Sequence, residues 1–140
     1  MRLWHKDLIP FLPRQQLLGQ WRECCLIAKN IAEKGTPNHL LVNRIMDYPL
    51  EHFHYYAGMV HDECINRGYK CDYSKFAKWI QVVEDHCTYE KLFSNWHNER
   101  YLWECFSNLQ EKYDCGGITE DEWNKILGVI FVGGERNDWI

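Results

Sequence analysis

The sequence contains no apolar run long enough to cross a membrane. A membrane-spanning helix needs about 20 consecutive apolar residues, and no stretch of this chain approaches that length. The opening residues, MRLWHKDLIPFLPRQ, also lack the uninterrupted apolar segment of a signal peptide. We therefore expect a cytoplasmic protein that has no membrane partner.

The cysteines and histidines lack the spacing of metal ligands. The seven cysteines are odd in number and include no Cys-x-x-Cys pair, and no export signal indicates an oxidising compartment, so we expect reduced thiols. His54 and His61 lie seven residues apart and would share a helix face, but nothing completes the ligand set of a zinc site. Buried cysteines and histidines at the core edge are the favoured interpretation. The sequence therefore predicts neither a metal nor another cofactor.

The net charge is small and unevenly distributed. The net charge is −4, but residues 1–70 carry nine Lys and Arg against seven Asp and Glu, whereas residues 71–140 carry seven against thirteen. A typical nucleic-acid-binding protein is strongly basic, and this chain is not. Any acidic partner is therefore expected to meet the N-terminal half.

Aromatic residues are abundant, with seven Trp and eight Tyr, and have two interpretations. Aromatic side chains can stack on nucleic-acid bases, but in the second half of the chain they follow a helical spacing and are accompanied by glutamates, which repel DNA. We favour the core for the residues Trp96, Tyr101, Trp103 and Phe106. For the segment HFHYY at residues 52–56 we favour the edge of the core.

Helical periodicity accounts for most of the chain. Apolar residues spaced by three and four predict a long amphipathic helix over residues 13–34 and a second helix over residues 49–67, each followed by a glycine. A third helix is predicted over residues 72–83, with Phe76, Trp79 or Ile80, and Val83 directed inward. A fourth, longer helix is predicted to begin near Thr88 and to reach Tyr113.

A capping box marks the start of the last predicted helix. Thr119 and Glu122 stand three residues apart in TEDE, as a capping box requires, and open a helix towards Leu127. The run VIFV at residues 129–132 is too short to distinguish helix from strand. No repeat or linker interrupts the chain. We therefore expect an all-α fold in which residues 1–140 form a single compact multi-helix domain.

The first helix carries two adjacent charges inside an apolar run, in QQLLGQWRECC at residues 15–25. Arg22 and Glu23 directly follow Trp21, which lies on the apolar stripe, so one of the two charges must border the packed face. A solvated surface ion pair is one interpretation, and the residue pattern alone favours it. An active site is the other.

Two segments carry a resemblance to a known family. MRLW and RQQLLGQWRE at the N-terminus, and HDECINRGY at residues 61–69, resemble the pyrimidine-dimer DNA glycosylases of the phage endonuclease type. The family segment Gln-His-Leu-Met-x-x-Tyr-Arg-Glu is matched identically by the residues Gln15, Leu17, Arg22 and Glu23. The family ending Ala-Glu-Cys-Leu-Lys-Arg-Gly-Phe aligns with residues 62–69. The resemblance covers about the first half of the chain.

The resemblance implies an all-α repair enzyme that acts on damaged double-stranded DNA. An N-terminal α-amine attacks C1′ of the damaged nucleotide, expels the base and forms an imine, after which β-elimination cuts the strand. An unperturbed α-amine has a pKa of about 8, against about 10.4 for lysine, which suits it as a nucleophile near neutral pH. Glu23 is then expected to stabilise the cation and move protons, and Arg22 to clamp a phosphate.

The N-terminus departs from the family pattern in an informative way. The family exposes a threonine by removing the initiator methionine, but the bulky Arg2 should block that removal here. The resemblance therefore implies that the α-amine of Met1 is the nucleophile and that Arg2, Gln15 and Gln16 contact DNA. Gln16 replaces a family histidine, Leu26 replaces a family arginine, and the aromatic, basic C-terminal tail has no counterpart in residues 132–140.

Two other functions remain open. One is a non-catalytic nucleic-acid-binding or protein-binding module that keeps the family fold. The other is a metal-dependent hydrolase that uses His and Cys, which chelators would inhibit. Cleavage at an abasic site, with Glu23→Gln as the control, separates the glycosylase from the binding module.

Overall fold

Helices and their connecting turns form all the secondary structure of residues 1–130, which are the residues described by a computed structural model. The α-helices are α1 (Arg14–Lys34), α2 (Leu50–Asn66), α3 (Ser74–Ala77), α4 (Glu99–Asp114) and α5 (Glu120–Ile130), with 3-10 helices at Lys6–Phe11 and Asn43–Asp47. This part of the chain contains no strand, which confirms the predicted all-α fold. None of its helices has the length and apolar character needed to cross a bilayer.

The two long N-terminal helices begin and end where the sequence predicts. Pro13 and Pro49 precede α1 and α2. Gly35 and Gly68 follow them with φ angles of 75° and 83°, in the left-handed region that glycine adopts without strain. Local signals at both ends therefore fix these two helices.

Helix α1 lies at the centre of the packing. Its buried face is formed by the residues Leu17, Gln20, Trp21, Cys24, Ile27 and Ala28, and it contacts α2 and α3. The 3-10 helix Lys6–Phe11 packs between α2 and α5, and α4 packs against α5. Large aromatic side chains fill the space between them, and the fully buried ones are Tyr56, Phe53, Phe76 and Phe93.

The predicted third helix is wrong in its length. Only Ser74–Ala77 is α-helical, although helical hydrogen bonds extend to Ile80, whose N–H donates to the Phe76 carbonyl at 3.2 Å. Phe76 and Ile80 are buried as predicted, but Val83 is 98% exposed rather than inward. The chain after Ile80 is rich in valine, whose branched side chain is a weaker helix former.

The predicted fourth helix begins about eleven residues too early. Residues 89–96 form turns, and Phe93 has a φ of 48°, which is incompatible with a continuous right-handed helix. Helix α4 starts only after Asn98, whose side chain accepts a hydrogen bond from the Tyr101 N–H at 2.9 Å. Leu92 and Trp96 are buried as the periodicity suggested, but from turns.

The predicted capping box of α5 is confirmed. The Glu122 N–H donates to Thr119 Oγ1 at 3.2 Å, and the Thr119 N–H donates to Glu122 Oε1 at 3.1 Å. The helix extends through residues 129 and 130, whereas residues 131 and 132 of the VIFV run and the C-terminal tail lie outside the described residues.

The aromatic residues of the second half of the chain belong to the core, which is the interpretation that the sequence analysis favoured. Trp96 and Phe106 are buried, and Tyr101 and Trp103 pack against the same cluster. Phe106 stacks on Trp103 with ring centroids 5.1 Å apart, and on Trp123 at 5.2 Å. In the HFHYY segment, Phe53 and Tyr56 are fully buried and the other three residues are half-buried.

Candidate active site around Glu23

Glu23 borders the buried face of α1 and is half-buried. Burial raises the pKa of its carboxyl group, because the charged form loses hydration. The positive charge of the Met1 amine and the Arg2 backbone N–H act in the opposite direction and lower the pKa of Glu23. The charge of the exposed Arg22 also lowers the pKa of Glu23, although within residues 1–130 no salt bridge joins the two side chains.

Gln20 connects Glu23 to the start of the chain. Its side chain is 1% exposed, and its Nε2 donates to Glu23 Oε2 at 3.2 Å and to the Arg2 carbonyl at 3.0 Å. Its Oε1 accepts a hydrogen bond of 2.7 Å from the Trp4 N–H. The sequence analysis did not identify Gln20. Its position three residues after Leu17 places a polar side chain on the apolar stripe of the helix, which could have indicated a buried polar contact.

The N-terminal segment runs through the interior of the protein. Residues 3–6 are all buried. The Tyr56 hydroxyl lies 2.6 Å from the Trp4 carbonyl, the Tyr101 hydroxyl donates to the Leu3 carbonyl at 2.6 Å, and the Lys6 N–H donates to His97 Nδ1 at 3.0 Å. Side chains from α2, α4 and the preceding turn therefore fix the path of the backbone that leads to Met1.

Met1 and Arg2, both half-buried, lie at the end of this pinned segment. The Arg2 guanidinium sits over the Trp4 ring at 5.6 Å, and its Nη1 lies 3.9 Å from Cys105 Sγ. Its side chain thus contacts the protein itself. The Met1 amine is close enough to lower the pKa of Glu23, but no ion pair joins the two groups within the described residues.

Arg22 lies between two surface depressions. The larger, here called the large cleft, has a volume of about 730 Å³ and lies between the start of α1 and the start of α5, with Gln15, Gln16 and Arg22 in its wall. Gln16 Oε1 is inaccessible to solvent and has no hydrogen-bond partner among residues 1–130. The structure therefore brings together Arg22, Gln15 and Gln16 in one cleft, which Arg2 does not line.

The smaller depression, here called the basic groove, holds cations that the sequence analysis did not single out. It has a volume of about 340 Å³, and Arg22, Lys70 and Lys75 line it. The only acidic residue in its lining is Asp72, whose carboxylate accepts hydrogen bonds from the Ser74 hydroxyl and N–H that lower its pKa. The groove therefore offers three positive charges on the face that carries Arg22.

The histidines and cysteines, all within residues 1–130, do not form a metal site or a second candidate active site. His54 is occupied on both ring nitrogens, by Asp85 at 2.9 Å and by the Tyr73 hydroxyl at 3.0 Å. All seven cysteines are free thiols. Among residues 1–130, no group of three or more His, Cys, Asp or Glu side chains is placed to hold a metal ion.

Two reactive groups lie near each other at this site, the α-amine of Met1 and the carboxyl group of Glu23. Burial raises the pKa of the Glu23 carboxyl group. An amine with a free electron pair can add to an electrophilic carbon, and a neighbouring carboxylate can stabilise a cation or accept a proton.

A family model described as pyrimidine dimer DNA glycosylase matches residues 1–77. Comparisons with curated proteins and with solved structures give no match.

Proposed function

The chain belongs to the pyrimidine dimer DNA glycosylase family, and we propose that it is a DNA repair glycosylase with abasic-site lyase activity. Its proposed substrate is damaged double-stranded DNA, with a pyrimidine dimer as the first lesion to test. The observation that carries the proposal is the Gln20 side chain, which ties the backbone next to Met1 to the carboxylate of Glu23.

We propose that the α-amine of Met1 is the nucleophile. Its nitrogen forms a bond to C1′ as the bond from C1′ to the damaged base breaks, and the base leaves with the bonding electrons. A proton passes from the attacking amine to the ring oxygen O4′ by way of Glu23, which opens the sugar ring and gives a protonated imine, while the departed base takes up a proton from water. Removal of a C2′ proton then expels the 3′ phosphate by β-elimination. The charge of the Met1 amine lowers the pKa of Glu23, which supports placing the two groups on either side of the reacting sugar.

Glu23 is proposed to serve both charge and proton transfer. Its carboxylate would stabilise the positive charge that develops on the sugar and on the imine. Burial raises its pKa, which makes the carboxylate a stronger base for the C2′ proton than an exposed glutamate. The hydrogen bond from Gln20 holds the side chain in place while this occurs.

The proposed DNA contacts surround this centre. Arg22 would clamp a phosphate close to the lesion, since its planar group of donors matches phosphate oxygens. Gln15 and Gln16 would contact DNA from the large cleft, while Arg2 would contribute positive charge close to Met1. The basic groove supports the same assignment, because DNA binding draws on Lys and Arg that neutralise phosphates.

We also propose that residues 1–140 act as one domain. Helix α5 packs against the 3-10 helix Lys6–Phe11, and the Arg14 N–H donates to Glu122 Oε2 at 2.9 Å. The segment matched by the family model is thus joined to the C-terminal helices through the edge of the large cleft.

Borohydride trapping on duplex DNA that contains one abasic site tests the proposal. The imine should be reduced to a covalent protein–DNA adduct, whose peptide map should locate the linkage at Met1. Glu23→Gln should reduce strand cleavage strongly, and acetylation of the α-amine should abolish the adduct. Lys91→Gln, at an exposed lysine outside both depressions, is the matched control.

Three outcomes would contradict the proposal. An adduct that forms with a blocked α-amine would exclude Met1 as the nucleophile. Specific DNA binding without any adduct would indicate the non-catalytic module, and loss of activity on adding a chelator would indicate a metal-dependent hydrolase.

A further inference from the structure

Two leucines are exposed at the tip of the turn that follows α1. Leu40 is 86% exposed and Leu41 is 52% exposed, in the connection between α1 and the 3-10 helix Asn43–Asp47. An isolated exposed leucine is common on protein surfaces, but two consecutive ones at the tip of a turn form a compact apolar projection. The sequence alone indicated only an ordinary connection here.

Hydrogen bonds hold this turn in one shape. The His39 carbonyl accepts from the N–H groups of Val42 and Asn43 at 3.0 and 2.9 Å, and Asn43 Oδ1 accepts from the His39 N–H at 3.1 Å. The Leu41 N–H donates to His39 Nδ1 at 3.3 Å. Val42 is fully buried and anchors the turn to the core. The two leucines are therefore presented by a pre-organised structure.

The turn lies on the side of the molecule that carries Glu23. Asn30 fastens it to α1, because its Nδ2 donates to the Pro37 carbonyl at 3.1 Å. Asn30 lies seven residues beyond Glu23, which corresponds to about 10 Å along the helix, or roughly three base steps of duplex DNA. His39 lies near enough to Glu23 to act on its carboxylate.

The residues around the leucines carry charges of both signs. Residues 33–47 contain the cations Lys34 and Arg44, the anions Glu33 and Asp47, and His39. The Arg44 guanidinium sits over the Trp96 ring at 5.4 Å, and the adjoining Tyr101 holds the N-terminal segment through Leu3. Because the turn is fastened to α1 and His39 lies near Glu23, duplex DNA bound for the proposed reaction would reach the apolar tip.

We propose that Leu40, supported by Leu41, is a wedge that enters the base stack beside the lesion and opens it towards Met1 and Glu23. This inference rests on the proposed glycosylase function. Apolar side chains that insert between base steps unstack them and kink the duplex. A lesion within the duplex would thereby become accessible to groups that cannot reach C1′ through an intact stack.

A fluorescence experiment distinguishes insertion of Leu40 into the base stack from contact with the DNA surface. Duplex DNA carrying 2-aminopurine next to an abasic site reports unstacking as a rise in fluorescence, and this readout does not require catalysis. Leu40→Ala should abolish most of the rise and should slow trapping on duplex DNA by about tenfold, while trapping on single-stranded abasic DNA stays unchanged because no stack has to be opened. Val83→Ala, at a residue that is 98% exposed on a different segment, should change none of these values.

The controls distinguish failure of the wedge from failure of the enzyme. Leu40 is exposed, so Leu40→Ala should fold as stably as the wild type in a thermal melt. Equal fluorescence for the wild type and Leu40→Ala would overturn the wedge, as would equal slowing on single-stranded and duplex DNA. A change in oligomeric state on gel filtration, with DNA unstacking intact, would assign the leucines to a protein contact instead. A wild type that unstacks DNA but is never trapped would contradict the lyase and leave the wedge supported.

Discussion

Replacing Gln20 by methionine should uncouple the N-terminal segment from helix α1, which carries Glu23. Methionine has nearly the same length and volume as glutamine, so the substitution leaves little cavity in the buried site. It removes the donors to Glu23 and to the Arg2 carbonyl and the acceptor for the Trp4 N–H. The change therefore isolates hydrogen bonding from packing.

The expected loss of stability follows from these bonds and from the one that the Tyr56 hydroxyl donates to Gln20 Oε1 at 3.0 Å. The Trp4 N–H lies in the interior, and a buried donor left without a partner costs about 1 to 3 kcal/mol. Arg2 and Glu23 are half-buried, so water can replace part of what they lose. We expect the free energy of unfolding to fall by about 2 to 4 kcal/mol, a large share of the 5 to 15 kcal/mol typical of a domain.

Two assays test this prediction together. Urea denaturation gives the change in the free energy of unfolding, and single-turnover borohydride trapping should slow by roughly 100-fold, because displacing a reacting group by about 1 Å has an effect of that size. Gln110→Met, at an exposed position on α4, should leave both values unchanged. A Gln20→Met protein with wild-type stability and wild-type trapping would refute the connection between this network and the proposed chemistry.

Two further predictions concern charge. Because burial raises the pKa of Glu23 above its ordinary value of about 4.5, the folded state binds this proton more tightly than the unfolded state, and the ionised carboxylate destabilises the fold once the pH exceeds the folded pKa. Glu23→Gln should therefore be more stable than the wild type at neutral pH, with the difference shrinking as the pH falls towards 4 in denaturation curves; a constant difference would argue against this origin. Lys75→Ala, in the basic groove, should weaken binding to abasic duplex DNA and reduce the slope of log K against log salt by about 0.9, whereas a slope equal to that of Lys91→Ala would place no phosphate at this groove.

The sequence predicted those helices whose ends carry local signals. Gly35 and Gly68 ended α1 and α2 correctly because a left-handed terminal residue is a property of a few neighbouring residues. The helix predicted from residue 88 failed because burial of Leu92 continued the apolar pattern across a chain reversal at Phe93. The spacing of apolar residues reflects which residues are buried, and a buried turn can show the same spacing as a helix.

The candidate site was predictable only in part, for a related reason. Arg22 and Glu23 were identified through the family resemblance, and their surroundings depend on residues far away in sequence. Gln20 could have been recognised as a polar residue on an apolar stripe, but its partners Arg2 and Trp4 could not. The role of Lys75 in the basic groove was not predicted, because Lys75 lies in the acidic half of the chain. The net charge of half the sequence does not show a local cluster of cations.

The buried N-terminal segment imposes an order on the maturation of the protein. Its backbone is held by Tyr101, 98 residues later than Leu3, and by His97, 91 residues later than Lys6. During synthesis this segment leaves the ribosome long before these two partners exist, so its burial is completed only after α4 has been made. Contacts of such long sequence separation form late and slowly. A nascent or truncated chain that ends before α4 would hold this segment through Gln20 and Tyr56 but without Tyr101, so the arrangement of Met1 and Glu23 proposed for the reaction would be completed only after α4 has formed.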